Sequence, residues 1–180
     1  MIATNKKNNN QQTIANSIFI SGIGLHTGKD VELNLQPASV DNGIKFIRID
    51  KKLNNIIEAT WSNVSETLLS TTIANSYGLK ISTIEHLMSA LSGLHIDNLN
   101  IYINSIEVPI MDGSSRPFVE MIEKVGIKKQ NKKRKLLSVK KPIEVYKNNS
   151  SAKIIPNHQF SIDFEIDFPS KLVSKQSCQL

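Results

Sequence analysis

Glu85 and His86 stand side by side in the run Ser82-Thr-Ile-Glu-His-Leu-Met-Ser-Ala-Leu91. A carboxylate can take a proton from water, and a neutral imidazole can ligate a divalent metal. Together they could form half of a metal-dependent hydrolytic site. The same residues have a purely structural reading. Ser82-Thr83-Ile84-Glu85 fits the capping box, in which a Ser or Thr caps the first helical turn and a Glu three positions on reaches back to it. On that reading His86 is a surface histidine. Ala90 occupies the position four after His86, so the pair is not the H-E-x-x-H zinc helix. The single cysteine, Cys178, excludes zinc sites built from several thiolates. A metal site must therefore draw on carboxylates and on His26, His86, His95 and His158.

The pair needs a helix to carry it, and the spacing predicts one from Thr83 to about Leu94. Ile84, Leu87, Met88, Leu91 and Leu94 recur at helical spacing and make a core stripe. The opposite arc carries Ser89, Ala90 and Gly93 beside His86, where an exposed helix would carry Lys and Glu. Such small residues permit close approach of another helix or of a ligand. Strands are expected at Thr13–Ile20, Val31–Leu35, Ile44–Ile49 and within the stretch Asn98–Met111, with glycine-punctuated turns at 21–30 and at Asn42-Gly43. "LLSTTIA", residues 68–74, is a β-branched stretch ahead of Gly78. A second helix opens near Pro117, buries Phe118, Met121, Ile122 and Val125, and ends at Gly126.

Past the second helix, "KKQNKKRK" (Lys128–Lys135) holds six positive charges and no negative one, which is the whole of the chain's net +6. No aromatic residue interleaves it, so it offers no stacking platform for bases. The run is expected to be a solvated linker over 128–135 between a domain at 1–127 and a second one beginning at 136–180. Strands are expected again at Leu136–Val139, Ile143–Tyr146, Ala152–Ile155 and Phe160–Phe168. Residues 31–49 and 151–168 share one outline: strand, proline (Pro37, Pro156), polar turn, alternating strand. This is a faint internal repeat. The start of the chain has no apolar run of a secretory signal, no stretch is long enough to span a membrane, and one cysteine fits a reducing cytoplasm.

Three motifs taken together are more specific than any one of them. "SGIGLHTGKDVELNLQPA", "ISTIEHLMSALSGLHIDNL" and "EVPIMDGSSRPFVEMI", in this order and spacing, closely resemble the UDP-3-O-acyl-N-acetylglucosamine deacetylase family, the zinc amidases of lipid A biosynthesis. The resemblance implies an α+β fold of two similar domains, each a β-sheet layer backed by helices, the second incomplete here. It implies a UDP-sugar lipid as substrate, Glu85 as the general base and His86 as a zinc ligand. Thr67–Thr72 is similar to a family segment lining the substrate site, which makes Leu69, Ser70 and Thr71 candidates there. His26 and Asp112 lie in family-typical motifs. No step is assigned to His26, and Asp112 reads as a turn cap before the second helix. His95 and His158 read as structural and solvent-exposed.

The resemblance also marks a departure. The family's other zinc ligands are a His and an Asp four residues apart, with a lysine beside that His and a further downstream His. All are expected beyond Leu180, and neither His95 nor His158 has an acidic residue four positions on. The main expectation is the deacetylase in an incomplete, inactive or split form, with a separate chain supplying the second domain as one way of completing it. The alternatives are a non-catalytic nucleotide-sugar binding module or decayed fragment, and a nucleic-acid-binding protein using residues 128–135.

Overall fold

The computed structural model describes residues 10–180. They fall into two compact units, one ending at Arg134 and one spanning Lys135–Leu180. The first is built on alternation. β2 (Ile18–Ile23), β3 (Asp30–Pro37), β4 (Ile44–Arg48), β5 (Ile56–Glu58) and β9 (Leu99–Ile103) form a five-stranded sheet in the order β2-β3-β9-β4-β5. Its pairings are antiparallel except β4 with β9. Register places Ile18, Leu35, Ile101, Phe46 and Ile57 in one row across the sheet. All five are buried, as are Ile20, Leu33 and Ile103 one row on. The intervening residues Phe19, Ser21 and Glu32 are exposed on the other face, the pattern of a half-buried sheet.

Helices α1 (Glu85–Gly93) and α2 (Arg116–Val125) cover the buried face, through Leu87, Ala90 and Leu91 of the first and Phe118 and Ile122 of the second. The α+β, two-layer expectation therefore holds. Among the described residues no helix is long and apolar enough to cross a membrane. A smaller sheet of β6 (Val64–Glu66), β7 (Thr72–Ala74) and β8 (Lys80–Ile81) delivers the chain to α1. Buried Arg48 ties the two sheets together. Its guanidinium grips Asp50 with bonds of 2.7 and 2.6 Å and donates to the Lys80 carbonyl at 3.0 Å. The side-chain bond from Arg48 holds the Asp50 carboxyl below its ordinary range, outweighing the opposing effect of burial.

Several expectations are corrected. Thr13–Ile20 is not one strand: β1 (Asn10–Ile14) turns away through exposed Ala15–Ser17 before β2. β1 pairs instead with β10 (Ile127–Lys133), antiparallel. The basic run is thus not a linker, although its lysine side chains stay exposed. Its backbone completes a ladder, and two of its six charges meet acids: Lys132 pairs with Asp41, and Arg134 with Asp97 at 2.8 Å. Buried Asn98 cements this ladder, donating to Gln11 at 2.8 Å and Gln130 at 2.7 Å while accepting from the Gly43 N–H at 2.9 Å. Leu136–Val139 forms no strand. Of residues 68–74 only Thr72–Ala74 is a strand, and 68–70 bend.

The second unit is two antiparallel hairpins, β11 (Ile143–Lys147) with β12 (Ser150–Ile154), and β13 (Asp163–Asp167) with β14 (Lys175–Gln179). The internal repeat is visible in this layout. Hairpin β2-β3 ends at Pro37 and hairpin β4-β5 follows; hairpin β11-β12 is followed by Pro156 and hairpin β13-β14. In the first unit β9 lies between β3 and β4. Among the described residues of the second unit no strand lies between β12 and β13.

Candidate active site

The first turn of α1 is not held by a capping box. Ile84 occupies the N-cap position and makes no side-chain cap bond. Thr83 takes a left-handed backbone, φ 57°, an outlying conformation for a β-branched residue. Its hydroxyl points away from the helix and donates to Glu107 at 2.9 Å. Glu85 turns outward to the neighbouring segment, and its Oε2 accepts the Thr71 N–H at 3.0 Å. The Thr71 carbonyl in turn accepts the Ile84 N–H at 3.4 Å. Thr71, 14 residues upstream, is thereby bonded at both its backbone groups to the helix start.

His86 follows on the same turn, half-buried. Leu69 is 81% exposed and left-handed at φ 63°, while Ser70 and Thr71 are half-buried. The structure thus brings Thr71 to Glu85 and sets His86 beside them. Leu69 and Ser70 form the bend that leads to Thr71. His26 lies exposed on the loop between β2 and β3. Asp112 is a turn residue: its Oδ1 accepts the N–H and hydroxyl of Ser114, which lowers its carboxyl, and the Ser114 hydroxyl accepts the Arg116 N–H that opens α2. His95 and His158 are exposed.

Glu107 is the residue that sequence reasoning passed over. It is fully buried, and among the described residues no cation pairs with it; its oxygens accept the His26 N–H at 3.0 Å, the Thr27 N–H at 2.9 Å and the Thr83 hydroxyl. Burial by itself raises this carboxyl, but the donors from His26, Thr27 and Thr83 together hold it below its ordinary range. Gly24 makes room for it. A Cβ there would fall 2.4 Å from Thr27 Oγ1 and 2.5 Å from Glu107 Oε2. The only sequence signal was the motif in which it lies, since a Glu before Val-Pro reads as an ordinary strand end.

Among the described residues no three His, Cys, Asp or Glu side chains gather as a metal site. What the turn offers is a single half-buried imidazole next to a carboxylate with one oxygen committed to Thr71. This donor chemistry suits one of the three protein ligands that a catalytic zinc site uses.

The model of the UDP-3-O-acyl N-acetylglycosamine deacetylase family matches residues 11–180. Curated relatives are named UDP-3-O-acyl-N-acetylglucosamine deacetylase. The one from Syntrophus aciditrophicus is 42% identical over 170 residues, 94% of this chain and 54% of the relative. Those from Geobacter sp. (strain M21) and Saccharophagus degradans are 49% and 48% identical over 166 and 160 residues, or 54% and 52% of their own lengths. The chain spans about half the length of the curated relatives it matches. With the match running through the α1 turn and on across both units, this chain belongs to the UDP-3-O-acyl N-acetylglycosamine deacetylase family.

Proposed function

We propose that this chain is the N-terminal part of a deacetylase that hydrolyses the N-acetyl group of UDP-3-O-acyl-N-acetylglucosamine in the cytoplasm, with zinc as cofactor. The observation that carries the reading is the turn of α1 in a chain of this family. Glu85 is steadied through Oε2 by the Thr71 N–H. Its other oxygen is left to take a proton from the attacking water, the general-base role. His86 would hold zinc as one ligand, the remaining ligands coming from the family length that this chain does not span. When bound, zinc polarises the acetamide carbonyl and lowers the pKa of a coordinated water to near 7. Leu69, Ser70 and Thr71 line the approach to the turn and contact the substrate, and the Thr71 bond to Glu85 sets the distance between that wall and the base.

The test is acetate release from the UDP-sugar, by this chain alone and mixed with a chain supplying the family's remaining half. Glu85→Gln should lower kcat by roughly 10²–10⁴-fold, the usual weight of a general base. His86→Ala should lose bound zinc by metal analysis. Wild-type turnover in E85Q sinks the assignment of the base. Absence of turnover in both preparations, with UDP-sugar binding retained by calorimetry, would favour a nucleotide-sugar binding module.

A further inference from the structure

Among the described residues, Glu107 is a buried carboxylate that the reaction above does not use. Its surroundings are built rather than incidental. The carboxylate is 0% exposed, and the groups bonded to it are donors from two separated segments, the β2–β3 loop and the residue two before Glu85. The backbone on either side of it is fastened to the same place. The Ser82 N–H donates to the Ile106 carbonyl at 2.9 Å, and the Val108 N–H donates to the Ser82 carbonyl at 3.1 Å. On the loop side, Gly24 and Gly28 close a turn through a 2.9 Å bond from the Gly28 N–H to the Gly24 carbonyl. Only a glycine at 24 leaves space for Glu107.

We propose that Glu107 is a positioning residue: its carboxylate clamps the Gly24–Gly28 loop to Thr83 and thereby sets the direction in which the first turn of α1 presents Glu85 and His86. The left-handed backbone of Thr83 is the hinge of this arrangement. Such a conformation persists only where its surroundings over-determine it, and the Thr83 hydroxyl is its one side-chain bond. The catalytic consequence rests on the reading of Glu85 as the base; the clamp itself does not.

Three variants test it. Thr83→Val removes the hydroxyl while keeping the side-chain shape, Thr83→Ser keeps the hydroxyl, and Glu107→Gln keeps the size but sets an NH2 against a donor. Hydrogen exchange by mass spectrometry reads the clamp without reference to turnover. Peptides covering 24–28 and 83–87 should exchange about tenfold faster or more in T83V and E107Q, the worth of a bond to a charged group, and as wild type in T83S. In the assay with the complementing chain, T83V should lose about tenfold or more in kcat with KM within about twofold while still unfolding cooperatively, and T83S should restore it. Wild-type exchange in both T83V and E107Q overturns the proposal, and if E107Q does not fold, T83V decides alone. Faster exchange in T83V together with full activity of E85Q keeps the clamp and removes the reading of the base. Loss of activity in E85Q with no change in T83V, in either readout, removes the clamp.

Discussion

A carboxylate buried without a cationic partner is a liability unless every oxygen is met, and Glu107 is met from both sides. Because its folded pKa is depressed, the sign of its pH effect is fixed. Its contribution is present in full above the unfolded value of about 4.3 and is lost as pH falls through the folded value. Denaturant midpoints of the wild type should hold steady from neutral pH to about 4.3 and decline below it. In E107Q that acid decline should shrink, leaving the part due to Asp50 and Asp112, whose carboxyls are depressed by bonds from Arg48 and Ser114. An acid profile identical in the two proteins would show that Glu107 is not linked to folding. At this scale the sequence was half legible. Glu85 and His86 were found because motif and chemistry coincide in adjacent residues. The capping-box reading failed because the Ser82 hydroxyl donates instead to the Ile106 carbonyl, 24 residues away, and local spacing carries no record of such a partner. The bond from Thr71 to Glu85 was hidden for the same reason.

Among the elements, those with one buried face were readable. β3 and β9 alternate because each sits mid-sheet over the helices, and α2 is delimited by Pro117 and Gly126 as its sequence demands. β10 was not readable. Ile127–Lys133 has no apolar alternation, and its charge argued for solvent. It is a strand because β1 supplies a ladder and because amide side chains meet beneath it. Gln11, Asn98 and Gln130 come from three separate segments, and buried Asn98 joins them. Asn98→Ala leaves the Gly43 N–H and two glutamine oxygens without this partner. It should cost roughly 1–3 kcal/mol in denaturant unfolding, the range for stranding buried polar groups. A cost near zero would mean that water replaces the amide and that β10 is held by its ladder alone.

At the level of the whole molecule the two units differ in kind. The first has a continuous core running from Ile14 to Ile122. In residues 135–180 nothing is buried, and only Val139 and Ile166 are half-buried. Their strands were legible from alternation, yet alternation only declares a face that wants covering. The expected exchange pattern of this chain follows directly. Amides of β3 and β9 should be protected to near the global stability, and those of β11–β14 should exchange at least several hundredfold faster. Equal protection in the two units would mean that the hairpins find cover. The pairing of Gln11 with Lys133, 122 positions apart, bears on how the protein is made. During vectorial synthesis β1 leaves the ribosome first and its partner strand last among the elements of the first unit. The N-terminal strand must therefore wait, unpaired, for nearly the whole of that unit to be translated. Closing so long a loop comes late because its entropy is lost before its contacts reward it, so the earliest of this unit's described strands is the last to be secured.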